Sequence, residues 1–240
     1  MKQKEFYYVK INEQTNMIYS IGLSFAEFIE SVSYKPQNVL LLKGNFINSS
    51  FNLHTRFEYV TSNHLPELYC DNVYNYGDFC WLDYEDYSCV ESLSELEIAK
   101  LLYAAHKFKI LENPFFLKLK NKYLYLTHDD EYNTRIYMQD LKDYKNVIIA
   151  KLYTELKGRR RHMTDISQEI NNELYQLAIA GMLIDFNNIC RDKNYVSVQI
   201  YQLGDLCGYD AVEQTLYRKK QGLGTFKTLE YKRGKWKLMS

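Results

Sequence analysis

DFCWLDYEDYSCVESLSELEIAKLLYAAHKFKILENPFFLKLKNKYLYLTHDD, residues 78–130, sets a strand before a well-framed helix and returns to a second strand and an acidic turn. Asp78 to Tyr84 is rich in aromatics, alternates loosely between apolar and polar, and follows YNYG, as a strand entered from a turn does. Ser94 stands three residues before Glu97, the spacing at which a hydroxyl and a carboxylate satisfy free amides of a helix's first turn. Ile98, Leu101, Leu102, Ala105 and Phe108 then recur at helical spacing. Asn113-Pro114 closes the run, because proline disfavours the α conformation of the residue before it. Glu95 and Glu97 at the start, and Lys107 and Lys109 near the end, suit the helix dipole. The pattern predicts a helix over 94–109 as the central core element, followed by a strand at Tyr123–Thr127.

Outward from this stretch the strands come in pairs. Glu5–Ile11 and Met17–Ile21 flank the turn-like NEQTN, and Ser24 caps one or two helical turns over Phe25–Val32. Val39–Lys43 reads as a buried strand, with further strands near Ser50–Leu53 and Phe57–Thr61. Thr134–Met138 pairs back on Tyr123–Thr127, and a helix over Asp140–Leu156 ends at Lys157-Gly158. Another helix runs over Asp165–Ala180 to Gly181, and Met182–Cys190 pairs with Tyr195–Leu203. Asp210 caps a short helix to Lys220, and Phe226–Tyr231 and Trp236–Met239 form a last hairpin over Arg233-Gly234. Hairpins separated by helices imply an α+β fold, antiparallel hairpins packed with about four helices. The polar Arg159-Arg160-Arg161-His162 suggests a boundary between a 1–157 domain and a 163–240 subdomain, the alternative being a single 1–240 domain.

The composition, 46% hydrophobic and 25% charged with three prolines and ten glycines, is that of a globular chain. No run approaches the roughly 20 apolar residues of a membrane helix, and MKQKEFYYVKI lacks the apolar core of a secretory signal. The expectation is a soluble, cytoplasmic protein with no membrane association. Five cysteines, Cys70, Cys80, Cys89, Cys190 and Cys207, with no CxxC spacing, point to reduced thiols.

A net charge of zero conceals segregation. Between Phe57 and Ala99 there are ten acidic residues and no lysine or arginine, whereas from Tyr217 onward there are eight basic residues against Glu230 alone. The two regions either face each other inside the fold, form separate solvated faces, or steer partners. With 23 tyrosines in the chain, the acidic stretch offers a partner surface of Asp71, Tyr74, Tyr76, Asp83, Tyr84, Glu85, Asp86 and Tyr87.

His128, Asp129 and Asp130 suit a divalent cation if the carboxylates of Asp83, Glu85 and Asp86 approach them, although the same residues also suit a hairpin turn. His106 borders an apolar stripe, His54 and His64 have no cysteine at ligand spacing, and no G-x-S-x-G occurs. Neither a catalytic residue nor a cofactor is assigned. The C-terminal lysines with Tyr231 and Trp236 suggest a phosphate-binding and base-stacking surface, as do Arg159–Arg161, but the pI of about 6.9 is not that of a dedicated nucleic-acid binder.

WLDYED (81–86), ELEIAKLLYAAHK (95–107), PFFLKLKNKYLYLTHDD (114–130), DLKD (140–143) and YQLGD (201–205) resemble an uncharacterised family of low-GC Gram-positive bacteria. Some of its members carry an oxalate:formate antiporter label. The resemblance implies a bacterial protein and brings no activity or site residue. Transport is excluded by the lack of apolar spans. The leading expectation is a non-enzymatic protein that binds a macromolecule, most simply another protein, through the acidic tyrosine-rich surface; an immunity or antitoxin-like role is one example. The alternatives are a small metal-dependent enzyme or metal-binding protein at His128, Asp129 and Asp130, and a nucleic-acid-associated protein using the basic C-terminal region. Nothing in the sequence fixes an oligomeric state.

Overall fold

A computed structural model describes residues 6–43, 56–70, 79–104, 110–128, 133–158, 163–205, 211–212, 214–215 and 226–239. Its strands are β1 (Phe6–Asn12), β2 (Met17–Ile21), β3 (Asn38–Lys43), β4 (Arg56–Val60), β5 (Phe79–Tyr84) and β6 (Tyr123–His128), then β7 (Asn133–Met138), β8 (Met182–Asp192), β9 (Tyr195–Gln202), β10 (Phe226–Lys232) and β11 (Lys235–Met239). All belong to one sheet in the order β11-β10-β9-β8-β1-β2-β7-β6-β5-β3-β4, and every neighbouring pair is antiparallel. The helices are α1 (Phe25–Ser31), α2 (Leu65–Cys70), α3 (Tyr87–Glu91), α4 (Glu95–Ala104), α5 (Tyr144–Lys157) and α6 (Gln168–Ile179), with a 3-10 turn at Leu141–Asp143. The class is therefore mixed α+β with an antiparallel sheet. Six α-helices are present among the described residues where about four were expected; the short α2 and α3 were not foreseen.

Four of the expected hairpins form, β1–β2, β6–β7, β8–β9 and β10–β11. The last turns on Arg233 and Gly234, both at positive φ (51° and 79°), as a two-residue loop matched to strand twist requires. β1 pairs with β2 on one side and with β8 on the other, so the sheet runs unbroken across residue 158. The strand expected at Ser50–Leu53, the 105–109 end of the central helix, Arg159–Arg161, and most of the helix from Asp210 lie outside the described residues.

One face of the sheet is covered along its length, and the other is covered over the β3–β7 part. On one face α1, α2, α5 and α6 close over the larger core, where Phe25 packs edge-on against Trp81 at 5.3 Å and Tyr125 at 5.4 Å. Ser24 and Glu27 form a complete capping box at the start of α1. The face of Leu141, Tyr144, Ile148 and Leu152 is buried, as its periodicity requires. Gly181 follows α6 at φ +84°, and a Cβ there would lie 2.1 Å from the carbonyl oxygen of Gly204. On the other face, α3, α4 and residues 110–119 cover Leu40, Leu42, Cys80, Leu82, Leu124 and Leu126.

This arrangement corrects the role of the Ser94 helix. Its capping box forms, with the Ser94 amide donating to Glu97 Oε2 at 2.7 Å and the Glu97 amide to Ser94 Oγ at 3.3 Å. Yet α4 fully buries only Leu101 and Ala104 among its described residues. Ile98, Leu101 and Leu102 of its inward stripe pack on the smaller core of the second face, while α1, α5 and α6 cover the larger core. No helix among the described residues is long and apolar enough to cross a membrane.

Candidate functional site

The acidic segment and the basic segment occupy opposite ends of the sheet. β4 and β5 lie at one edge and β10 and β11 at the other, and ten strand spacings of about 4.8 Å separate the outermost strands by roughly 48 Å along the sheet. The described parts of the two charged regions therefore do not face each other within the fold. Each meets solvent on its own.

At the acidic end, the expected surface divides. Asp83 and Tyr84 are buried, at 2% exposure each, because β5 is an inner strand covered on both faces. The Asp83 carboxylate accepts from the amides of Lys122 (2.9 and 3.1 Å) and Tyr123 (2.8 Å), so it fastens the start of β6. Burial pushes its carboxyl up to about 6, against the opposing effect of those amides and of Lys122. Glu85 is exposed and paired with Lys120. Asp86 caps α3 by accepting from the Ser88 amide at 2.9 Å, and the Ser88 hydroxyl together with that amide holds its carboxyl below the usual range. Tyr87 is exposed, and its ring meets Tyr59 of β4 edge-on at 5.3 Å. Asp71, Tyr74 and Tyr76 lie outside the described residues.

Of the large apolar side chains exposed among the described residues, Tyr59, Tyr87, Leu96, Tyr103, Ile110 and Leu117 all belong to the layer over this one sheet face; the other is Met239. Leu96, Ala99 and Tyr103 fall on the outward side of α4 at spacings of three and four residues, back to back with buried Leu101. Between α4 and residues 110–117 lies a groove of about 770 Å³, lined by Ala99, Tyr103, Ile110, Leu111, Phe115 and Leu117 among others. Glu112 and Lys100, both exposed, also line it, and Glu91 and Glu95 are exposed at the end of α3 and the start of α4. Glu97 at its rim is held down to about 2 by Lys118, at 2.7 Å, and by the Ser94 hydroxyl and amide. This apolar feature escaped sequence reading because one helix carries two apolar stripes, and only the inward one was sought.

Asp83 and His128 do not come together. Asp83 lies beside Tyr123 at the start of β6, and His128 ends that strand five residues later, about 17 Å away along an extended chain. Asp129 and Asp130 lie outside the described residues. No cluster of three or more His, Cys, Asp or Glu side chains is placed to hold a metal among the described residues.

At the basic end, Tyr231 and Trp236 do not form a stacking surface. Trp236 is 8% exposed, donates its indole N–H to the Thr164 carbonyl at 2.7 Å, and packs on Tyr231 at 4.9 Å and Tyr153 at 6.0 Å. Alternation along β11 turns the lysines the other way: Lys235 and Lys237 are exposed while Trp236 points into the core. Comparison of the chain with protein-family models, with curated proteins and with solved structures finds no match.

Proposed function

We propose that the chain is a non-enzymatic protein-binding protein whose partner surface is the layer formed by α3, α4 and residues 110–117, with the Tyr59–Tyr87 pair at its margin. The observation that carries this reading is the gathering of exposed apolar side chains into one layer beside a groove, where a contiguous apolar patch rimmed by polar groups marks an interaction site. Tyrosines supply contact area at low entropic cost, and exposed Glu91 and Glu95 on α3 and α4, with Glu112 in the groove, outnumber the lining Lys100 and favour a basic partner. A groove of this size beside a helix suits an amphipathic basic helix laid apolar face down. The proposed surface extends the acidic tyrosine-rich stretch toward the C-terminal side of α4 and drops Asp83 and Tyr84, which serve the core.

The test uses a synthetic helical peptide with leucines at spacings of three and four residues and lysines elsewhere. It should bind the full chain, and L96S/Y103S/L117S should weaken binding by more than about tenfold, or 1.4 kcal/mol. These side chains are exposed, so the variant should keep its circular dichroism spectrum and melting behaviour. Equal binding by the folded variant, or by a peptide of the same composition with scrambled spacing, would overturn the proposal.

A further inference from the structure

At the basic end two turns lie side by side, the β8–β9 turn and the β10–β11 turn, joined where the Arg233 amide donates to the Asn194 carbonyl at 3.5 Å. Cross-strand register puts Lys235 opposite Lys232, and Lys232 opposite Tyr195. These residues alternate with Tyr231, Trp236 and Val196, which face the larger core, so the lysines share the opposite sheet face. Lys237 lies on that face two residues beyond Lys235, opposite Glu230. Arg233 occupies the turn itself, and exposed Lys193 occupies the neighbouring one. Arg191 donates to the Glu155 carbonyl near the end of α5, which carries exposed Lys157. Arg191, opposite Val196, and Lys157 on α5 lie toward the larger-core side, so the cations that share the open face are Lys232, Lys235 and Lys237, with Arg233 at its end.

These cations are not among the lysines that the fold pairs. Lys10, Lys118, Lys120, Lys151 and Lys227 each lie against a carboxylate. Lys232, Arg233, Lys235 and Lys237 are exposed and make no ion pair among the described residues. Lys232 instead lies 5.9 Å above the Tyr195 ring. Like charges directly opposite on a strand pair are destabilising, so the Lys232–Lys235 pair is a cost to the isolated fold that an added anion relieves. The carboxylates nearest in register are Glu230, opposite Lys237, and Asp192, opposite Tyr195, and no ion pair joins either to Lys232 or Lys235 among the described residues.

We infer that this corner binds the phosphodiester backbone of a nucleic acid, with Lys232, Arg233, Lys235 and Lys237 each contacting a phosphate. A run of cations along one sheet face matches a polymer of regularly spaced phosphates. The hairpin has only Met239 among its exposed large apolar side chains, too little to anchor in a lipid surface. With the aromatic rings of Tyr231 and Trp236 engaged in the core, binding rests on charge and carries little sequence preference.

The experiment is fluorescence anisotropy of a short labelled DNA duplex with the full chain, titrated across ionic strength. Four phosphate contacts give a log–log salt slope of about −3.6, an affinity loss of about 150-fold between about 50 and 200 mM salt. K232Q/R233Q/K235Q/K237Q should abolish that dependence, each single change should flatten the slope by about 0.9, and K118Q/K120Q at the other end should leave it unchanged. Absence of binding at the lowest salt, or full binding by the folded quadruple variant, would overturn the inference. Preference at equal salt for phosphatidylserine vesicles would assign the corner to a membrane instead. Salt-sensitive self-association that competes with the duplex and vanishes in the quadruple variant would assign it to the acidic end of a second copy. The peptide assay for the other end of the sheet is independent of all these outcomes.

Discussion

Replacing Asp83 by asparagine should change how stability depends on pH. The carboxyl is buried on an inner strand and titrates at about 6 instead of an ordinary 3.8, because desolvation outweighs the amides of Lys122 and Tyr123. A folded-state value above the unfolded one means the folded protein holds the proton more tightly. The stabilisation from this group is complete below about pH 4 and disappears as pH rises through about 6. At about 1.4 kcal/mol per tenfold change, the gap between 3.8 and about 6 is worth about 3 kcal/mol. Asparagine keeps an oxygen for the two amides and never ionises. Urea unfolding of the wild type and D83N at a series of pH values measures the difference, in which all other titrating groups cancel. The wild type should lose about 3 kcal/mol relative to D83N between about pH 4 and pH 7. Parallel curves would refute the reasoning, and a wild type that gains on D83N as pH rises would show that the backbone amides outweigh burial.

Three further perturbations follow from the fold. G181A should cost several kcal/mol in chemical denaturation, because the new Cβ meets the Gly204 carbonyl oxygen at 2.1 Å in a positive-φ conformation; G22A should do likewise against the Phe6 carbonyl, also at 2.1 Å. S24A should cost about 1 kcal/mol by removing the α1 cap, read as a lower urea midpoint at unchanged slope. We expect the whole sheet to unfold in one transition, since β1 is zipped between β2 and β8; tryptophan fluorescence, reporting Trp81 and Trp236 in its two halves, should coincide with far-ultraviolet circular dichroism. Two separated transitions would support independent 1–157 and 163–240 units.

Local elements were legible wherever turn chemistry and apolar period agreed. The hairpins follow from short polar turns between β-rich runs, α5 from Leu141, Tyr144, Ile148 and Leu152, and the start of α4 from Ser94 and Glu97. The order of the sheet was not legible. Nothing local to Phe6–Asn12 announces a partner at Met182, because that pairing depends on cross-strand packing between distant segments. The short α2 had a signal that went unused, Pro66 in the first helical turn, where its missing amide proton is harmless. The site was misread for a related reason. A run of acids in sequence reads as one surface, but strand alternation and two-sided burial send Asp83 and Tyr84 inward, while Asp86 caps a helix. Trp236 was misassigned in the same way, since alternation on an edge strand presents the lysines and hides the ring.

The central claim is that the layer over the β3–β7 half of the sheet is where a partner docks. Amide hydrogen exchange of the full chain, with and without the bound amphipathic basic peptide, tests it most directly. New protection should concentrate at residues 87–104 and 110–117, with α1, α5 and α6 unchanged. Protection confined to the α1–α5–α6 face, or to the β10–β11 hairpin, would contradict it.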